Sequence, residues 1–178
     1  KTGKKLEIAV NLSPRQFKDE DLIAKIDYAL EQSDLKPCYL TLEITESIIM
    51  ENIEQSIETL VELKERGINV SVDDFGTGYS SLNYLSTFPL DELKIDRSFI
   101  MDIPDDQEKI SISKAVIELA HALNLSVTAE GVELYDQIKF LKEHKCERLQ
   151  GYYYSKPVPQ DKMLHFLEEK NDFKIDDE

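Results

Sequence analysis

Cysteine, glycine, proline and histidine are all scarce in this sequence, and tryptophan is absent. Its 178 residues include two Cys, six Gly, six Pro and three His. Cys38 and Cys146 lie far apart with no CxxC neighbour, which excludes a disulfide framework and a zinc knuckle and suits a reducing compartment. His121, His144 and His165 show no metal-ligand spacing and read as ordinary residues on or near helices. No Pro- or Gly-rich linker splits the chain, and there is no low-complexity segment. No apolar run approaches the roughly 20 residues that cross a bilayer. Basic residues are also in short supply: 21 Lys+Arg against 36 Asp+Glu give a net charge of −15. That acidity argues against a protein that grips a DNA or RNA polymer through an electrostatic footprint. It leaves room for a small phosphorylated ligand held through metal ions, because magnesium prefers carboxylate ligands. A starting Met and a signal peptide are missing too. The opening Lys1-Thr-Gly-Lys-Lys5 runs straight into an apolar stretch, and the expectation is a piece of something longer.

What is present is alternation. Leu6 to Val10, Tyr39 to Leu42, Asn69 to Val72, Glu92 to Ile95, Ser126 to Ala129 and Arg148 to Tyr153 read as strands. Helical spacing marks Asp21 to Gln32, Ile53 to Arg66, Gln107 to Leu123, Leu134 to His144 and Asp161 to Lys170. Gly67 is the natural stop of the second of these, and Ser80 to Ser86 is a short helix at best. The chain therefore reads as one domain over residues 1–170, with a solvated tail over 171–178. Strict strand–helix alternation predicts an α/β fold with parallel strands and outer helices.

The strand ends choose between an open doubly wound sheet and a barrel. Asn11 follows the first strand, Glu43 the second and Asp73-Asp74 the third. Lys94 sits within the fourth, Glu130 ends the fifth, and Gln150 lies in the sixth. A doubly wound sheet brings only two or three strand ends to its ligand, whereas a barrel brings all of them to one mouth. The expected fold is thus a TIM-like (β/α) barrel. Six of eight βα units are present and the first two strands are missing.

One carboxylate after a strand is most often a helix N-cap. Polar groups at six successive strands call for another reason. Asn11, Glu43, Asp73, Asp74 and Glu130 make an oxygen-rich set that suits magnesium or manganese over zinc. The adjacent pair Asp73 and Asp74 can serve two neighbouring metals, which at roughly 4 Å apart clamp the attacking and leaving oxygens of a phosphodiester. Lys94 is the fixed cation among them, able to orient an attacking water or stabilise phosphoryl charge. Glu130 either holds the second metal or takes a proton from that water, and spacing leaves both roles open. Gly76-Thr-Gly78-Tyr-Ser-Ser81 lacks the third Gly of a dinucleotide motif and reads better as a loop that orders over a ligand. Tyr152 to Tyr154 read as alternating between barrel core and helices.

In this order, Asn11-Leu-Ser13, Glu43-Ile-Thr-Glu46, Asp73-Asp-Phe-Gly-Thr-Gly78, Leu93-Lys-Ile-Asp96, Ala129-Glu-Gly-Val-Glu133 and Gln150-Gly-Tyr152 resemble the motifs of the EAL domain. The resemblance implies a modified TIM-like barrel that hydrolyses cyclic di-GMP to linear pGpG with Mg²⁺ or Mn²⁺. By motif, it makes Asn11, Glu43 and Asp73 ligands of a first metal, with Asp73 also reaching the second. It gives Asp74 and Glu130 to the second metal, Glu130 also as general base, and Lys94 to the catalytic water. Glu46 resembles the anchor of the glycine-rich loop, and Glu133 and Gln150 further active-site residues. No Glu-Ala-Leu tripeptide precedes Asn11, in keeping with the missing strands. The resemblance further implies a cytoplasmic domain, a homodimer, and sensory or diguanylate-cyclase modules in the parent, with a membrane tether left open. Two other readings stand beside the enzyme: a cyclic di-GMP receptor that does not cleave, and an inactive fragment that dimerises over its open edges.

Overall fold

The computed structural model describes residues 6–76 and 82–168. Loop residues 77–81 and the expected tail over 171–178 lie outside the described residues. Six strands, β1 (Ile8–Asn11), β2 (Leu40–Thr45), β3 (Asn69–Phe75), β4 (Glu92–Ile95), β5 (Ser126–Ala129) and β6 (Arg148–Leu149), form one sheet in sequential order. Every pairing is parallel. The sheet curls far enough that Arg148 of β6 reaches Glu7, next to β1, at 3.4 Å. This is the arc of a TIM-like barrel, and the doubly wound alternative is excluded by the strand order.

Side chains on the two faces differ in kind. Leu42, Ile44, Val70, Val72, Leu93, Ile95 and Val127 alternate along β2 to β5 and are buried on the outer face. They pack with Leu60 and Leu63 of α4 (Ile53–Glu65), Val116 and Ile117 of α7 (Gln107–Ala122), and Ile138 and Leu141 of α8 (Tyr135–Glu143). The remaining long helices are α2 (Leu22–Ser33) and α9 (Gln160–Glu168). The intervening positions are polar: Thr41 and Glu43, Ser71 and Asp73, Glu92 and Lys94, Thr128 and Glu130. Period-two alternation thus builds an oily outer face and a charged inner one. Among the described residues no helix is long and apolar enough to cross a membrane.

Local signals fix the turns. Ser13 caps α1 (Pro14–Phe17), and Gln16 reaches back to the Ser13 backbone, so the chain turns sharply just after Asn11. Gly67 ends α4 in the left-handed region at φ 77°, and the Ile68 N–H donates to the Leu63 carbonyl.

Three short helices escape the periodicity: α1, α3 (Glu46–Glu51) and α6 (Arg97–Ile100). None is long enough to show a repeat. Of the expected short helix over 80–86, the described part is α5 (Leu82–Leu85). The sixth strand also differs from expectation, stopping at Leu149 while Tyr152 and Tyr153 lie exposed. The cause is Val132, whose N–H donates to the Gln150 carbonyl and whose carbonyl accepts from Tyr153 N–H, bending the chain out of the sheet. The tyrosines therefore do not alternate between core and helices.

Candidate active site

Parallel register lines up the inner-face residues of neighbouring strands. Asn11 of β1 stands beside Glu43 of β2, and Lys94 of β4 beside Thr128 of β5. Glu130 follows β5 directly, its N–H donating to the Ile95 carbonyl. Lys94, with a side chain only 4% exposed, places Nζ 3.0 Å from Glu43 Oε2, 3.2 Å from Asp73 Oδ1 and 2.6 Å from Glu130 Oε1.

Asp73 and Asp74 are neighbours in a strand, so regular pleating would send them to opposite faces. A register shift intervenes. Val72 pairs with Leu93 but Phe75 with Ile95, so three steps on β3 match two on β4. Asp74 takes up the extra residue at φ 55°, a bulge that turns its side chain inward. As a result Asp73, Asp74 and Glu130 each offer a carboxylate oxygen, all within 4.8 Å of one another.

Asn11 completes a second grouping. Its amide end lies 3.3 Å from both Asp73 Oδ2 and Glu43 Oε2. With the nitrogen turned toward them, the amide donates to both carboxylates. With the oxygen turned toward them, three oxygens converge, which is the donor set of a hard divalent cation. The residues present thus fit such ions, and Asp73 belongs to both groups.

Burial and crowding of charge set the proton affinities. Burial raises the Glu130 carboxyl above its usual range; Lys94 opposes this, and the charges of Asp73 and Glu43 reinforce it. Asp74 is raised by burial, then by Asp73 and Asp96. Burial alone would lower the Lys94 ammonium, but its hydrogen bonds to Glu130 and Glu43 prevail and raise it.

A stability prediction follows for Glu130. Folding favours its protonated form, so that advantage is full below the ordinary value of 4.5 and fades as pH rises through the raised folded value. Glu130→Gln, which carries no charge, is expected to melt above the native protein in EDTA at pH 8. The gap should close toward pH 4. Thermal melts across that range check it, and a variant less stable at pH 8 would refute it.

The other expected residues take different places. Glu46, buried at the start of α3, accepts from Gly76 N–H at 3.5 Å, at the entry to the glycine-rich loop. Glu133 and Gln150 line a cavity of about 1080 Å³ that also touches Glu43, Lys94 and Glu130. They do not enter the carboxylate cluster. The same cavity is lined by Arg97, Arg148 and Lys156, three cations not picked out from the sequence. Arg148 Nη1 donates to Glu92 at 2.8 Å, one inner-face layer below Lys94 and Glu130. The period-two pattern held the signal, since Glu92 and Arg148 precede Lys94 and Gln150 by two. Among the histidines, His121 contacts Glu147 at 3.0 Å and His144 packs edge-on against Phe140, both away from the cluster. The side chain of His165 lies outside the description.

Comparison with known proteins points the same way. The chain is 48% identical over 163 residues to the cyclic di-GMP phosphodiesterase NbdA of Pseudomonas aeruginosa, covering 92% of this chain and 21% of that protein. It is 43% identical over 157 residues to the bifunctional diguanylate cyclase/cyclic di-GMP phosphodiesterase MucR of the same organism, covering 88% of this chain and 23% of MucR. The chain thus spans about a fifth of the length of the curated relatives it matches. Among solved structures, the PaMucR phosphodiesterase in complex with c-di-GMP superposes with a TM-score of 0.85 at 43% identity, over 88% of this chain and 64% of that one. A manganese and cyclic di-GMP complex of Klebsiella pneumoniae BlrP1 gives 0.80 at 30% identity, over 86% and 40%. Residues 1–157 match the EAL domain, and with fold and motif order in agreement the chain belongs to that family.

Proposed function

We propose that the protein carrying this chain is a metal-dependent phosphodiesterase that opens cyclic di-GMP to linear pGpG. The observation that carries the reading is the convergence of Asn11, Glu43, Asp73, Asp74 and Glu130 around Lys94 at the strand ends. Relatives named as cyclic di-GMP phosphodiesterases and neighbours solved with that ligand support the substrate.

Asn11, Glu43 and Asp73 would hold one Mg²⁺ or Mn²⁺, and Asp73, Asp74 and Glu130 a second. Two such ions, when bound, neutralise phosphodiester charge and acidify water. Glu130, at the end of β5 beside Lys94, takes the proton of the attacking water. Lys94, with its ammonium against Glu130, orients that water. The water oxygen bonds to phosphorus, the bond from phosphorus to the 3′-oxygen breaks, and the departing oxygen is protonated from solvent. Glu46 steadies the glycine-rich loop through Gly76. Glu133 and Gln150, with the cations Arg97 and Lys156, contact the anionic substrate from the cavity wall.

In this reading the domain runs through residue 170, works in the cytoplasm and associates as a homodimer. Its parent carries sensory or cyclase modules, as the bifunctional name of MucR suggests. The test follows cyclic di-GMP by chromatography with Mn²⁺ and with EDTA. Conversion to pGpG in Mn²⁺ alone is expected. Ligand bound by the full-length protein but never cleaved would replace the enzyme with a receptor.

A further inference from the structure

Lys94 has three ammonium protons, and the fold supplies three carboxylate partners for them. Glu43 Oε2, Asp73 Oδ1 and Glu130 Oε1 lie at 3.0, 3.2 and 2.6 Å. With its side chain 4% exposed, bulk water scarcely competes for those bonds.

These are the carboxylates to which the proposed function gives the metals, and the inference rests on that reading. An ammonium and a divalent ion that seek the same oxygens interfere in two ways. They compete for lone pairs, and they repel each other across a few ångströms of poorly hydrated space, where charges are weakly screened. Asn11 adds to the contest. Turned to donate, its amide satisfies Asp73 Oδ2 and Glu43 Oε2, and it must rotate to offer its oxygen to a cation. We propose that Lys94 is an internal counter-cation competing with divalent metal for Glu43, Asp73 and Glu130, so that metal loads weakly until substrate engages the ammonium. The anionic phosphodiester is the natural alternative partner for Lys94. Drawing the ammonium off the shared oxygens makes them available, so substrate and metal reinforce each other's binding. Lys94 then has two effects of opposite sign: it weakens metal binding, and it serves the reaction.

The discriminating experiment measures Mn²⁺ affinity, not turnover, on the full chain without nucleotide. Titration followed by the EPR signal of free Mn²⁺ compares native protein with Lys94→Met, Lys94→Gln and Lys94→Arg. The neutral variants are expected to bind Mn²⁺ at least tenfold more tightly, while Lys94→Arg, which keeps the charge, stays within about threefold of native. If removing the cation leaves the carboxylates too repulsive to fold in EDTA, Mn²⁺ should restore the circular dichroism of Lys94→Met, with the same meaning. Equal or weaker binding by both neutral variants, or no rescue of either, overturns the proposal while leaving the metal site standing. Absence of Mn²⁺ binding at millimolar concentration in every form, native and neutral alike, overturns this proposal and the proposed function together.

Discussion

Under the proposed function, Asp73→Asn is expected to abolish metal-dependent hydrolysis of cyclic di-GMP by the protein carrying this chain, lowering kcat by at least about 10³-fold while leaving the fold intact. The size of the effect comes from the residue's double membership. Its Oδ2 stands with Asn11 and Glu43, and it shares the second grouping with Asp74 and Glu130. No other carboxylate reaches both sets among the described contacts. Asparagine keeps the shape and retains one oxygen to accept from the Asp74 N–H, the 3.0 Å bond that holds the bulge. It removes the charge and puts an NH₂ where an oxygen has to face a cation. Circular dichroism separates lost chemistry from lost fold, and turnover near the native rate would refute the role given to Asp73.

This pair also marks how far the sequence could be read. Asn11, Glu43, Lys94 and Glu130 were legible because each ends or interrupts an apolar run whose period is two. The parallel barrel arc brings such positions together without further information. What adjacency could not reveal was why Asp73 and Asp74 share a face. That depends on pairing between β3 and β4, a tertiary matter of where the ladder gains a residue. The layer beneath was hidden for a similar reason. Glu92 finds Thr128 and Arg148, 36 and 56 positions away, and a pattern along one strand names no partner across the barrel. Helix ends were easier, since Ser13 with Gln16 and the glycine at 67 are local chemistry. The overlong sixth strand had the opposite fault: its aromatic run suits a strand, but hydrogen bonds to Val132 turned it away.

Gly151→Ala should be among the most damaging single-methyl substitutions in the chain, costing about 3 kcal/mol or more. Gly151 was visible only as the centre of the Gln150-Gly-Tyr152 motif, and its importance is steric. A Cβ at that position would fall 2.0 Å from the Val132 carbonyl oxygen, 2.3 Å from its nitrogen and 2.6 Å from its carbonyl carbon. All three are backbone atoms, so no rotamer change relieves the clash. Nor is Val132 free to retreat, because its N–H donates to Gln150 and its carbonyl accepts from Tyr153, each at 3.0 Å. Relief requires β6 to pull away from the segment after β5. That strains the bond from Gln150 N–H to the Ala129 carbonyl at 2.9 Å and displaces Glu130, the next residue. Gly67→Ala is the useful control. Nothing lies within 4 Å of its added methyl, so only the left-handed backbone at φ 77° is strained, for about 1 kcal/mol. Urea unfolding of the two variants decides the matter. A Gly151→Ala protein no less stable than Gly67→Ala would show that the approach of β6 to Val132 is loose. In that case the close packing that holds Glu130 beside Lys94 would have to come from elsewhere in the barrel.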